Sequence, residues 1–169
     1  MINYLVHKKP SASSEDIQMI CKEYVKGNHG LDIFSTGFRM MYLQQAEKYL
    51  SRFVGKTRDQ VLIEILPHFK TWDNYSLSIM YLRILFVVFK NGIPNNRFIN
   101  LFSQLLAFNI HPDPSKRKSV DKSLKLFHKL FYNSENSNNY LTLLNNFSFD
   151  KKYAMKTIHT DSVDLHKIV

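Results

Sequence analysis

Apolar residues recur along this chain at helical intervals, and alternation of the kind a strand needs never survives for more than a few positions. Behind Ser13, Glu15 and Asp16, which supply a cap and an acidic first turn, Ile17, Ile20, Cys21, Tyr24 and Val25 fall at i, i+3, i+4, i+7 and i+8. That amphipathic helix runs out at Gly27-Asn28-His29-Gly30. A further helix is predicted from Thr36, with Phe38, Met41, Tyr42, Tyr49, Leu50 and Phe53 on one stripe and a stop at Gly55. Thr57-Arg58-Asp59-Gln60 is a capping box, and Val61, Leu62, Ile65, Leu66 and Phe69 line a short helix that Pro67 limits. Residues 79–89 are apolar at every position but Arg83, so the helix predicted over 72–90 is expected to be buried on all faces as a central post. It is shorter than the roughly 18 apolar residues of a membrane span, and Arg83 breaks it. Asp73 fits an N-cap or first-turn position, and Asn91, Gly92 and Pro94 fit the other end.

Beyond that post, Phe98, Ile99, Leu101, Phe102, Leu105 and Leu106 mark a helix that Pro112 and Pro114 must terminate. Ser119 caps the next, lined by Val120, Leu124, Phe127, Leu130 and Phe131. Residues 133–139 are a polar Asn/Ser linker. The pattern then weakens into a turn at 141–144, a helix at 150–158, and a polar tail with Asp161, Asp164 and His166. At the other extreme, Ile2, Leu5 and Val6 have helical spacing with no cap before them.

Composition narrows the class. The 169 residues are 44% hydrophobic and 14% aromatic with only five Gly and five Pro, which excludes disorder and favours one all-α domain with a core of its own. The lone Cys21 cannot form an internal disulfide and no leader-like stretch is visible, so an intracellular, cytoplasmic location is expected. Asn74-Tyr-Ser76 and Asn146-Phe-Ser148 match glycosylation sequons by coincidence. The formal charge of +9 raises the question of nucleic acid or an anionic membrane. With only short basic runs, Lys116-Arg117-Lys118 and Lys151-Lys152, it is read as solvated surface and not as a nucleic-acid footprint. Seven histidines (7, 29, 68, 111, 128, 159 and 166) include no i, i+4 pair, which argues against a metal site, and His111 reads as a loop side chain. Cys21 sits on an apolar stripe and reads as a small buried hydrophobe.

Two ordered stretches carry a resemblance. Asp73-Asn-Tyr75-Ser76-Leu77-Ser78 resembles the Asp-x-Trp/Tyr-Ser-Leu-Gly segment that opens the buried central helix of the protein-kinase large lobe. Leu105-Leu106, followed by His111-Pro-Asp113-Pro-Ser-Lys-Arg117-Lys-Ser119, resembles the Leu-Leu…Asp-Pro-x-x-Arg-x-Ser/Thr segment near the end of that lobe. The flavour, rich in Asn and Lys, is similar to kinase-like proteins of large DNA viruses, which implies an infected host cell. The resemblance implies a helical large lobe over 1–132, with a helical insertion at 13–70, and a weakly structured remainder at 133–169. It implies structural anchors at Trp72, Asp73, Tyr75 and Arg117. In the family the aspartate at the position of Asp73 holds the catalytic-loop backbone, and the arginine at that of Arg117 pairs with the glutamate of Ala-Pro-Glu.

The departures matter as much. Ser78 stands where the family usually has Gly, and the chain contains no Gly-rich loop, strand lysine, His-Arg-Asp, Asp-Phe-Gly or Ala-Pro-Glu before Asp73. Without positioned metal ions, lysine and base, phosphoryl transfer has no means here. The expectation is therefore a non-catalytic helical module with no catalytic, cofactor-binding or metal-binding residue, ATP and Mg entering only if an upstream part completes the site. Its partner would be another protein or the missing kinase part, and Met1 would be an internal methionine of a longer frame. The alternative is an independent basic all-α interaction domain. On the plainest readings Asp73 is simply an N-cap and Arg117 a surface cation, and without its family partner Arg117 is expected to be solvent-facing or paired opportunistically.

Overall fold

The computed structural model describes residues 5–6, 11–89 and 97–132; the predicted linker and tail at 133–169 and the helix end at 91–94 lie outside them. The protein is all-α. Among the described residues, besides the helical pair 5–6, the helices α1 (Ser14–Gly27), α2 (Thr36–Leu50), α3 (Arg58–Ile65), α4 (Trp72–Val88), α5 (Arg97–Asn109) and α6 (Val120–Tyr132) are interleaved with short 3-10 turns at His29–Leu31, Ser51–Phe53, Leu66–Thr71 and Pro114–Lys116. The one β-type contact among the described residues is an isolated parallel bridge between Ala12 and Val54.

The helix starts follow the sequence signals. At α1, Ser13 Oγ accepts from Asp16 N at 3.2 Å while Asp16 Oδ2 accepts from Ser13 N at 3.0 Å. Thr57 and Gln60 do the same for α3, satisfying N–H groups that the first turn leaves without partners. Ser35 caps α2 and Ser119 caps α6. Pro67 has no N–H to continue the α ladder, so α3 stops at Ile65 and the chain tightens into the 3-10 turn Leu66–Thr71. Leu66 and Phe69, predicted to line that helix, are thereby turned outward and exposed. Met41 is exposed too, because the buried register of α2 runs through Tyr42, Ala46, Tyr49 and Leu50.

Two apolar clusters result. The first joins Leu5, Ala12 and α1 (Ile17, Ile20, Cys21) to α2 (Ala46, Tyr49, Leu50), Phe53 and α3 (Val61, Ile65). The second joins Leu31 and Tyr42 to α4 (Leu82, Leu85), α5 (Phe98, Ile99, Leu106), Ile110 and Leu130 of α6. Phe98, Phe102, Phe127 and Phe131 interleave between α5 and α6 as stacked and edge-on pairs at 5.7–6.2 Å. Both α1 and α2 serve both clusters, since Tyr24, Val25, Phe38 and Tyr42 face the second while their other ends line the first.

The helix expected to be buried all round is not. In α4 only Ser78, Leu82 and Leu85 are buried, while Leu77, Met80, Tyr81 and Phe86 are exposed. Among the described residues its main neighbours are the turn His29–Leu31, α5 and the turn Leu66–Thr71. Those cover one side, and the opposite side keeps its apolar residues in water. The turn docks tightly: a Cβ on Gly30 would lie 3.1 Å from the Ile79 carbonyl oxygen and 3.3 Å from Ile79 Cγ2. Asp73 occupies the first turn of α4, exposed, and is not its N-cap. The preceding turn already has helical backbone at Thr71 and Trp72, so no extended cap residue exists there.

Candidate functional site: a tyrosine cluster closed by Arg117

Four elements converge on Tyr75, one turn into α4. From the last turns of α1 comes Tyr24, and from the middle of α2 comes Tyr42. The Tyr24 and Tyr75 hydroxyls form a short hydrogen bond, and Tyr42 OH lies 3.2 Å from Tyr75 OH. Asn28 Nδ2, at the end of α1, donates to Tyr24 OH at 2.9 Å, while its Oδ1 accepts from Gly30 N at 3.1 Å and so fixes the docked turn. Burial, the leading cause in each case, pushes all three phenols well above their ordinary range, so they stay neutral.

The fourth contributor is Arg117. Its guanidinium carbon stands 4.3 Å from the centre of the Tyr75 ring. Its Nε donates to the His111 carbonyl at 2.7 Å, and an Nη reaches toward the Pro112 carbonyl at 3.4 Å. Desolvation lowers its pKa while the surrounding tyrosines oppose that shift. The loop that delivers it is stiffened locally: Asp113 caps the turn Pro114–Lys116 by accepting from Ser115 N at 2.9 Å and Ser115 Oγ at 2.7 Å. His111 Nδ1 accepts from Asp113 N at 3.0 Å. Burial holds the His111 imidazole below its usual range, in keeping with that accepting role. Beyond Lys116 the chain turns extended at Arg117, which aims the side chain inward. Arg117, expected to be solvent-facing or paired opportunistically, takes the second course: among the described residues its partners are carbonyls and a ring face, not a carboxylate.

Below the cluster a second polar group is buried between α4, α5 and α6. Ser123 Oγ donates to Asn109 Oδ1 at 2.9 Å and accepts from Asn74 Nδ2 at 3.0 Å, and Asn109 Nδ2 donates to Ser78 Oγ at 3.2 Å. Ser78 thus has a use at the position where the family resemblance would put Gly: its hydroxyl satisfies an asparagine inside the core. Among the described residues, buried Ser103 Oγ has no hydrogen-bond partner.

Of the four anchors read from the sequence, the fold brings Tyr75 and Arg117 into contact and leaves Trp72 and Asp73 exposed at the start of α4. Tyr24 and Tyr42 were visible only as apolar-stripe positions; periodicity reports the face a residue takes and not the partner its hydroxyl finds. Asn28 was legible only as part of the stretch that ends α1, and nothing in the pattern pointed to the hydrogen bonds that Asn109 and Ser123 make. A shallow groove of about 500 Å³, lined by Glu23, Tyr24, Gly27, Asn28, Tyr75, Ser76 and Ile79, opens beside the cluster. Among the described residues no group of three His, Cys, Asp or Glu side chains could hold a metal ion, and no helix is long and apolar enough to cross a membrane. No protein-family model, curated protein or solved structure matches the chain, so the kinase-like resemblance rests on its two sequence stretches alone.

Proposed function

We propose that this chain acts by binding, as an independent basic helical module that presents a surface to a macromolecular partner. The observation that carries this reading is the way Arg117 is satisfied from within: the turn carbonyls of His111 and Pro112 and the face of Tyr75 occupy its guanidinium. A scaffold arginine waiting for a carboxylate from a missing part would be left buried without a partner, at a cost of several kcal/mol. The tyrosine hydroxyls are likewise consumed by one another and held neutral by burial, which suits a structural lock better than proton transfer. Titration calorimetry with ATP·Mg²⁺ on the purified chain tests this. No binding heat and no phosphate transfer to a protein substrate are expected, and a micromolar nucleotide affinity would overturn the reading.

A second reading is the large-lobe portion of a protein-kinase-like protein, a Ser/Thr phosphotransferase when an upstream part supplies the ATP and Mg²⁺ site. What favours it is that the two resembling stretches, far apart in sequence, meet at the contact between Tyr75 and Arg117. Sequencing the DNA upstream of Met1 decides between the two. A frame encoding the Gly-rich loop, strand lysine, His-Arg-Asp and Asp-Phe-Gly motifs would favour the lobe, and a promoter without them would favour the independent module.

A further inference from the structure

The positive charge is segregated along the fold. Residues 11–89 are nearly balanced, with nine Lys and Arg against eight Asp and Glu, whereas residues 97–132 hold seven against two. Within that excess Arg117 is turned inward, Asp113 is engaged by Ser115, and Asp121 alone is a free-standing acid beside the lysines of α6. Those lysines have a geometry. Lys122, Lys125 and Lys129 fall at i, i+3 and i+7, so they form one exposed stripe, while Ser123, Phe127 and Leu130 face the protein.

A helix packed on a core needs only an inward apolar stripe and an outward polar one. On α6 there is a third. Val120 and Leu124, one turn apart, are 52% and 51% exposed on the flank between the packed side and the basic stripe, and Leu126, 40% exposed, lies on the other flank beside Lys122. In the loop that leads into α6, the Lys118 ammonium stands 4.8 Å from the centre of the Phe108 ring, and Phe108 is itself 57% exposed. Exposed apolar residues set against lysines make an amphipathic surface, and its two halves restrict what can satisfy both. A nucleic-acid backbone would take the cations and leave Val120, Leu124 and Phe108 in water. An anionic bilayer takes both, with ammonium groups at the phosphates and the apolar edge at the headgroup–acyl boundary.

We propose that α6 and the Phe108–Lys118 edge form a peripheral docking surface for an anionic phospholipid membrane. This rests on the binding-module reading and names the partner for it. The full chain is sedimented with phosphatidylcholine vesicles, with and without phosphatidylserine, at low and high salt. Binding is expected only with phosphatidylserine and falls with salt. The triple variant Lys122→Glu, Lys125→Glu, Lys129→Glu should bind on the order of a hundredfold more weakly. The variant Val120→Ser, Leu124→Ser should keep the salt-sensitive encounter but dissociate faster. All these side chains are exposed, and unchanged melting curves verify that the variants are folded. Vesicle binding that survives the triple charge reversal overturns the proposal, as does binding to neither vesicle. Equal binding to single-stranded RNA, lost in the lysine variant and indifferent to Val120 and Leu124, overturns the lipid assignment but leaves the binding module standing. Nucleotide binding by the same preparation would instead remove the module reading.

Discussion

At the residue scale, Tyr75 and Arg117 show how a polar cluster can hold a fold together and also record its own pH range. Replacing Arg117 with Ala strips a donor from the His111 carbonyl and uncovers the Tyr75 ring, so urea denaturation should report a loss of about 1–3 kcal/mol. Lys at the same place keeps the charge but not the flat stacking surface, and should recover only part of that. The phenols set the alkaline limit. Their folded pKa values lie above the unfolded value of about 10, so the stability they contribute is fully present below that pH and is lost progressively as pH rises from there toward the folded values. Urea midpoints should be flat between pH 7 and about 9 and fall beyond pH about 10. Tyr75→Phe should lower the plateau and flatten the fall; an equally steep fall in the variant would show that other groups govern it. Cys21 makes a simpler case. It is fully buried, burial and then Glu47 push its thiol up to about 11, and it should resist thiol reagents at neutral pH until the protein is unfolded.

At the scale of elements, caps and breakers were legible because they act locally. Ser13 with Asp16, Thr57 with Gln60, Ser119 and Pro67 each set a boundary by satisfying or removing a backbone N–H a few residues away, and such a rule needs no knowledge of the rest of the fold. The burial of α4 was misread for the complementary reason. An apolar residue states only that it gains by leaving water, and whether Met80 and Leu77 leave it depends on how many neighbours the fold can set around one helix. Truncation separates the two sides. Leu82→Ala should cost about 2–5 kcal/mol and Met80→Ala less than about 0.5, and near-equal losses would mean that α4 is covered all round after all. Gly30 supplies the test of the side that is packed. Its missing Cβ lets the turn His29–Leu31 approach the Ile79 carbonyl, which belongs to a helix and cannot swing aside, so Gly30→Ala should destabilise by about 1–3 kcal/mol.

At the scale of the whole molecule, the two apolar clusters raise the question of whether the chain unfolds once or twice. Each would be a small core if it stood alone, and small cores are marginal. They are tied by single rigid elements: α1 carries Ile17, Ile20 and Cys21 into one cluster and Tyr24 and Val25 into the other, and α2 divides Tyr49 and Leu50 from Tyr42 in the same way. The hydroxyl bonds of Tyr24 and Tyr42 to Tyr75 then fasten both helices to α4. Melting the second cluster would strip the C-terminal half of α1 and the N-terminal half of α2 of their cover, and neither half-helix is long enough to persist alone in water. A single cooperative transition follows. Trp72, the only tryptophan, stands where the turn Leu66–Thr71 enters α4 and reports locally on that junction, whereas far-UV circular dichroism reports every helix. The two urea curves should superimpose in the parent chain, and again in Ile65→Ala and Leu106→Ala, which weaken one cluster each by about 2–5 kcal/mol. Curves that separate in either variant would show that α1 and α2 fail as ties and that the clusters fold independently.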